Sequence, residues 1–165
     1  MNDPVRAQPT QGPTPGILSK SKLLPATVAD IMTKDVVTLT PDQTVADAIS
    51  SLANHHFHHL VITDGNRKVV GIVSDRDILR AVGRTADWHA CPVSHIMTPN
   101  PITVRSGSPL LVAVSKMLLN GFNSLPMVGE NAAVVGILTS KDVLWSYQRL
   151  IEWIEPRLQQ MDLEK

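Results

Sequence analysis

Gly71-Ile72-Val73-Ser74-Asp75-Arg76-Asp77 decides the fold, because it returns 65 residues later as Gly136-Ile137-Leu138-Thr139-Ser140-Lys141-Asp142. The same offset continues outward without a gap. Ile31-Met32-Thr33 falls on Ile96-Met97-Thr98, and Val69-Val70 falls on Val134-Val135. Across residues 31–79 against 96–144, 15 of 49 positions are identical. Others are conservative, such as Val37 with Ile102, Ile49 with Val114 and Leu52 with Met117. One unit is therefore used twice.

Each copy reads strand, helix, strand, strand, helix, an α+β pattern. The leading extended pieces are Val36-Val37-Thr38-Leu39 and Ile102-Thr103-Val104. The helix that follows has an apolar face at spacings of three and four. In the first copy this face is Val45, Ala48, Ile49 and Leu52; in the second it is Leu110, Ala113, Val114, Met117 and Leu118. Ser108-Pro109 predicts a helix start with Ser as cap and Pro at the first helical position. Leu60–Ile62 and Val69–Val73 predict two strands joined at Asp64-Gly65-Asn66. Leu125–Val128 and Val134–Leu138 do the same around Gly129-Glu130-Asn131. A copy this short has a marginal core by itself, so the two are expected to pack sheet to sheet.

The chain has 165 residues, 43% of them apolar and 18% charged, which fits a folded globular protein. Lys plus Arg and Asp plus Glu are 15 each, so a general nucleic-acid binder and a polybasic membrane-surface protein are both disfavoured. No apolar run approaches the ~20 residues of a membrane-spanning helix. The N-terminus lacks the apolar block of a secretory signal. Cys91 is the only cysteine and has no CxxC partner; it reads as a small, partly buried residue. A reducing, cytoplasmic setting is the simplest expectation. The expected division is a flexible Pro-rich tail over 1–26, units over 27–87 and 88–148, and a helical extension over 149–165. A transit peptide is a weaker reading of the tail.

The repeated Ser/Thr-x-x-Asp carries two partly exclusive readings. In one it is a capping box: Ser74 or Thr139 caps a helix, and Asp77 or Asp142 reaches back to the cap amide. In the other, the free amides of a helix start and the hydroxyl hold a phosphate, and the carboxylate accepts hydrogen bonds from a ribose diol. Arg76 and Lys141 would neutralise phosphate charge, and Gly71 and Gly136 would let a backbone or ligand approach closely.

The Asp30-Ile31-Met32-Thr33 opening, the Val/Ile-Thr strand, the Val45–Ile49 helix and the Gly-Ile-Val-Ser-x-x-Asp ending together resemble a cystathionine-β-synthase (CBS) domain. Two in tandem over about residues 28–148 resemble a Bateman module. The resemblance implies βαββα units related by a pseudo-two-fold axis and paired through their sheets. It implies a regulatory module binding adenosyl ligands (AMP, ADP, ATP or S-adenosylmethionine), with no catalysis and no resident cofactor. Ser74 and Asp77, and Thr139 and Asp142, would contact phosphate and ribose. Val37, Thr38, Ile102 and Thr103 would line the pocket, with His59, Leu60 and Val61 in one copy and Ser124, Leu125 and Pro126 in the other. Family members often carry Pro-Val at this last strand. The second copy has Pro126-Met127, whereas the first has Val61-Ile62. The resemblance also implies a homodimer and a separate enzyme or transporter as regulated target; a purely structural dimerisation unit is the rival.

Four of the six histidines are His55, His56, His58 and His59. They suggest a metal site weakly, because the second copy has ordinary turn residues there. Leu144, Tyr147, Ile151, Ile154, Leu158 and Met161 step by three and four, a core-edge or partner-contact stripe that Pro156 is expected to kink or interrupt. Trp145 and Trp153 are candidate anchors within it. No catalytic motif emerges.

Overall fold

The computed structural model describes residues 25–163 except His56 and Thr85. Residues 1–24 of the expected tail lie outside this set. The first copy contains β1 (Thr38–Leu39), α1 (Val45–His55), β2 (His59–Thr63), β3 (Val69–Ser74) and α2 (Asp75–Val82). After two 3-10 turns, Trp88–Ala90 and Val93–His95, the chain forms β4 (Thr98–Pro99). The second copy follows as β5 (Val104–Arg105), α3 (Leu110–Asn120), β6 (Ser124–Val128), β7 (Val134–Thr139) and α4 (Ser140–Leu163). One sheet has the order β1-β2-β3-β4 and the other β5-β6-β7. In each, the first pair is parallel and the second antiparallel.

The pairing outside the main ladders has two-fold symmetry. Thr33 bridges Ile137, while Thr98 pairs with Ile72 in the β3–β4 ladder; the 65-residue offset exchanges one pair for the other. It likewise exchanges the Thr27–Pro109 bridge with Thr44–Pro92. Lys68–Ala133 maps onto itself and marks the axis. Along this axis Val61, Val134 and Ile137, flanked by Val36 and Val69, join the copies in a small apolar cluster.

The copies also exchange their leading segments. Val28, Ile31 and Met32 pack into the second core, with Leu125, Met127 and Leu138. Val93, Ile96 and Met97 pack into the first, with Leu60, Ile62 and Val73. Burial of each such side chain stabilises by about 1.5–3 kcal/mol, and neither fifty-residue copy has enough of them unaided. Segment exchange therefore locks the pair together.

Several expectations change. Pro109, not Ser108, is the α3 cap residue, and it makes no side-chain cap bond. The carbonyl of Ser108 instead accepts the Val28 amide at 3.0 Å, a bond of the exchanged segment. Leu118 is 78% exposed, so the buried stripe of α3 is narrower than its hydrophobicity suggests. Strands β1 and β5 hold two residues each, and Ile102 and Thr103 precede β5. Pro156 does not interrupt α4, which runs on to Leu163, because surrounding turns keep their own hydrogen bonds. Leu144, Tyr147 and Leu158 of that stripe are exposed, whereas Ile151 and Ile154 are half-buried; the side chain of Met161 lies outside the described residues.

Candidate functional site

Strand β3 runs into α2 with no intervening loop, so Ser74 is both the last strand residue and the cap of α2. Thr139 and α4 are related in the same way. Antiparallel pairing sets His59 opposite Ser74 and Ser124 opposite Thr139. Each sheet therefore gathers its candidate polar residues at one end.

The capping box forms in both copies. The Ser74 hydroxyl donates to Asp77 Oδ2 at 2.6 Å, the Ser74 amide donates to the same oxygen at 3.0 Å, and the Asp77 amide donates to Ser74 Oγ at 3.3 Å. For Thr139 and Asp142 the three distances are 2.6, 2.8 and 3.3 Å. Two further boxes have similar geometry. Asp47 accepts from the Thr44 amide and hydroxyl, both at 2.8 Å, and Asp30 accepts from those of Thr27 at 2.8 and 3.0 Å. Box geometry alone therefore does not single out a ligand site. Both additional boxes were readable in the sequence as Thr-x-x-Asp.

The free helix-start amides expected from sequence are not free in the first copy. The Asp75 amide donates to the His58 carbonyl at 3.0 Å, the Arg76 amide to Asp75 Oδ1 at 2.7 Å, and the Asp77 amide to Ser74. Side chains and the preceding loop have satisfied the orphan donors. In the second copy the Ser140 amide donates to the Asn123 carbonyl at 3.0 Å. The glycines also serve the fold. A Cβ on Gly71 would strike the Met97 side chain, and one on Gly136 would lie 2.6 Å from Met32 Sδ and 2.9 Å from the Thr33 carbonyl oxygen. What approaches them is the exchanged segment rather than a ligand.

The strand residues divide by pleat. Leu60 and Leu125 point into their own cores, whereas Val61 joins the cluster between the copies. Pro126 and Ser124 are also buried. Thr38 pairs with Val61, Val37 packs on the first core, Thr103 is half-buried and Ile102 is exposed. Arg76 is exposed, and Lys141 Nζ sits 4.9 Å from the Trp145 ring centre.

The histidines have separate surroundings. His55 stacks on Phe57 with ring centres 5.4 Å apart, and His58 Nδ1 lies 3.0 Å from Asp75 Oδ2. The His58 contact holds the Asp75 carboxyl below the usual carboxylate range. His59 is half-buried; burial pushes its pKa below the ordinary histidine value, opposed by the charge of Asp75. Among the described residues, no three His, Cys, Asp or Glu groups converge to hold a metal ion, and His56 lies outside that set.

A hollow of about 450 Å³ opens beside Asp77 along α2, with Arg80 and Arg84 in its wall. The sequence reading missed these two: Arg80 follows Asp77 by three residues on α2, and Arg84 stands in the turn just past its end. A second hollow of about 340 Å³ lies at the opposite end of the second sheet, beside Arg105 and Val128.

The CBS domain family model matches residues 28–84 and again 93–148. The chain belongs to the CBS-domain family. Its two CBS domains stand in tandem, and the α+β architecture matches solved CBS pairs. The chain is 33% identical over 117 residues to an uncharacterized 17.7 kDa protein of Acidianus ambivalens, covering 70% of each. It is 30% identical to a homoserine O-acetyltransferase of Methanohalobium evestigatum, of which it spans only 24%. Among solved structures, a CBS domain pair in complex with 5-methylthioadenosine and S-adenosyl-L-methionine matches with 30% identity and a TM-score of 0.69, over 75% of this chain and 98% of that one. CBSX2 in complex with AMP matches with 30% identity and a TM-score of 0.69, over 76% and 98%. The cytosolic domain of the Mg²⁺ channel MgtE in complex with ATP matches with 26% identity and a TM-score of 0.63, over 72% and 48%. Among the described residues, no helix is long and apolar enough to cross a membrane.

Proposed function

We propose that this CBS pair is a regulatory module, not an enzyme, that binds an adenosyl ligand at Ser74–Asp77, at Thr139–Asp142, or at both. The observation that carries the reading is the placement of one hydroxyl–carboxylate pair at the same end of each sheet, facing His59 in one copy and Ser124 in the other. Support comes from AMP, ATP, 5-methylthioadenosine and S-adenosylmethionine in complexes of similar folds. Binding would act by differential affinity, stabilising one arrangement of the two copies, or of two chains, and shifting its population. The regulated target is then a separate enzyme or transporter, in a cytoplasmic setting.

A structural dimerisation role is the second reading, and the additional Thr27–Asp30 and Thr44–Asp47 boxes favour it. The second copy exposes Leu111, Leu119 and Trp145, where the first carries Ala46, Asn54 and Arg80. This apolar surplus suits a homodimer formed through the second copy. Thermal melting with AMP, ATP and S-adenosylmethionine decides between the readings. A ligand at 100 times its Kd adds about 2.7 kcal/mol of stability. No shift with any of the three overturns the ligand reading and leaves the structural one.

A further inference from the structure

The histidine cluster ends at the first site. His59 pairs with Ser74 across β2 and β3, and cross-strand partners share a face of the sheet. Val61, two residues on, reaches the cluster between the copies, so His59 and Ser74 lie on the face turned toward the second copy. His59 is half-buried and makes no side-chain hydrogen bond to the described residues. The charged and titratable groups around it are Asp75, His58, Asp77 and Arg76; β1 and β3, which flank β2, carry none. His58 ties the same corner together. Its carbonyl accepts the Asp75 amide at 3.0 Å, and its Nδ1 lies 3.0 Å from Asp75 Oδ2.

The second copy keeps the backbone bond, from the Ser140 amide to the Asn123 carbonyl, but not the charges. Asn123, Ser124 and Ser140 stand where the first copy has His58, His59 and Asp75, while Lys141 and Asp142 match Arg76 and Asp77. With neutral imidazoles the first set carries one net negative charge and the second none. With both imidazoles protonated the first set becomes net positive by one, and the second is unchanged. Histidine makes this change between about pH 5 and 8. The first corner alone can therefore reverse its charge.

We propose that His58 and His59 make the Ser74–Asp77 site proton-gated, so that it takes an anionic adenosyl ligand more tightly as the pH falls, a response the Thr139–Asp142 site does not share. The inference rests on the adenosyl reading above and adds the regulation of one of its two sites. Burial opposes a proton on His59. A ligand anion beside it favours that proton, and by linkage the proton favours the anion to the same extent. A proton on His58 is met by Asp75, whose carboxylate then repels the anion less. The first copy thus reports ligand and pH together, and the second reports ligand alone.

The test is calorimetric titration of AMP and of adenosine into the Asp142→Ala chain, which leaves the first site to report. It is run at pH 7.5 and 5.5, with and without His58→Gln and His59→Gln together. The AMP phosphate itself titrates at about pH 6, and the glutamine chain carries that change as the baseline. On acidification, AMP affinity should rise about tenfold more in the histidine chain than in the glutamine chain. Uncharged adenosine should show no such excess. NMR of the imidazole ring protons reads the same coupling with both histidines in place: AMP should raise the titration midpoint of His59, and adenosine should not. An equal pH response in the two chains, or a His59 midpoint indifferent to AMP, overturns the gate while the adenosyl reading stands. Failure of AMP and adenosine to bind the Asp142→Ala chain at either pH overturns the gate together with the adenosyl reading of this site.

Discussion

Asp77→Ala, Asp142→Ala and Asp47→Ala form a matched set, because all three remove the acidic partner of a Ser/Thr-x-x-Asp box. Asp77 and Asp142 each accept two hydrogen bonds, at 2.6 and 3.0 Å and at 2.6 and 2.8 Å. Losing a cap interaction of this kind costs about 1 kcal/mol, or roughly 3–5 °C of melting temperature for a fold of this size. Ligand affinity should respond differently. A ribose diol donates two hydrogen bonds to a carboxylate, each worth about 1.5–3 kcal/mol with a charged acceptor, so its loss weakens binding at that site about a hundredfold or more. Asp47 makes the same box contacts, at 2.8 Å each, at the start of α1 and outside the repeated Ser/Thr-x-x-Asp ending. Its variant should lose its cap yet keep full affinity. Melting curves read the first effect and titration with AMP or ATP the second. If Asp77→Ala and Asp142→Ala both lower the melting temperature with affinity intact, or if Asp47→Ala weakens binding as much as they do, the carboxylates serve only as caps.

Gly136→Ala should destabilise by about 1–3 kcal/mol, because its new methyl would sit 2.9 Å from the fixed Thr33 carbonyl oxygen. Gly71→Ala meets only the flexible Met97 side chain and should cost less; chemical denaturation checks the order. Stability should also fall on acidification from pH 7.5 to 5.5. The depressed pKa of His59 means that the unfolded chain binds a proton the folded chain refuses, through the window from about 6.5 down to the folded value. His59→Gln should flatten that slope in melts across this range. Leu111→Glu with Leu119→Glu alters two exposed positions, 74% and 85% accessible. It should convert a homodimer to a folded monomer by sedimentation, and an unchanged mass refutes the proposed contact.

The fold was legible because duplication doubles the signal. A strand such as Leu60–Ile62 is ambiguous alone, but Leu125–Met127 at the same offset fixes its type and its place in the order. The exchange of leading segments was not legible. Periodicity reports which face of an element is apolar, not which partner covers it, so Met32 and Met97 carried no mark of the core they enter. Local propensity likewise misplaced the α3 cap, because Ser108 is already committed to Val28 through its backbone. In the site, Ser74, Asp77, Thr139 and Asp142 stood out as a motif. Arg80 and Arg84 did not, since exposed arginines on a short helix and in the turn after it look like a solvated face until the opposite wall of the hollow is in place.

The central claim is that the two carboxylates leave their caps to grip a ribose. A crystal structure of the chain grown with AMP tests it most directly. The account predicts nucleotide density with the ribose hydroxyls on Asp77 or Asp142 and the matching Ser74 or Thr139 hydroxyl turned to the ligand. Nucleotide bound elsewhere, with all four box residues still bonded to one another, would contradict it.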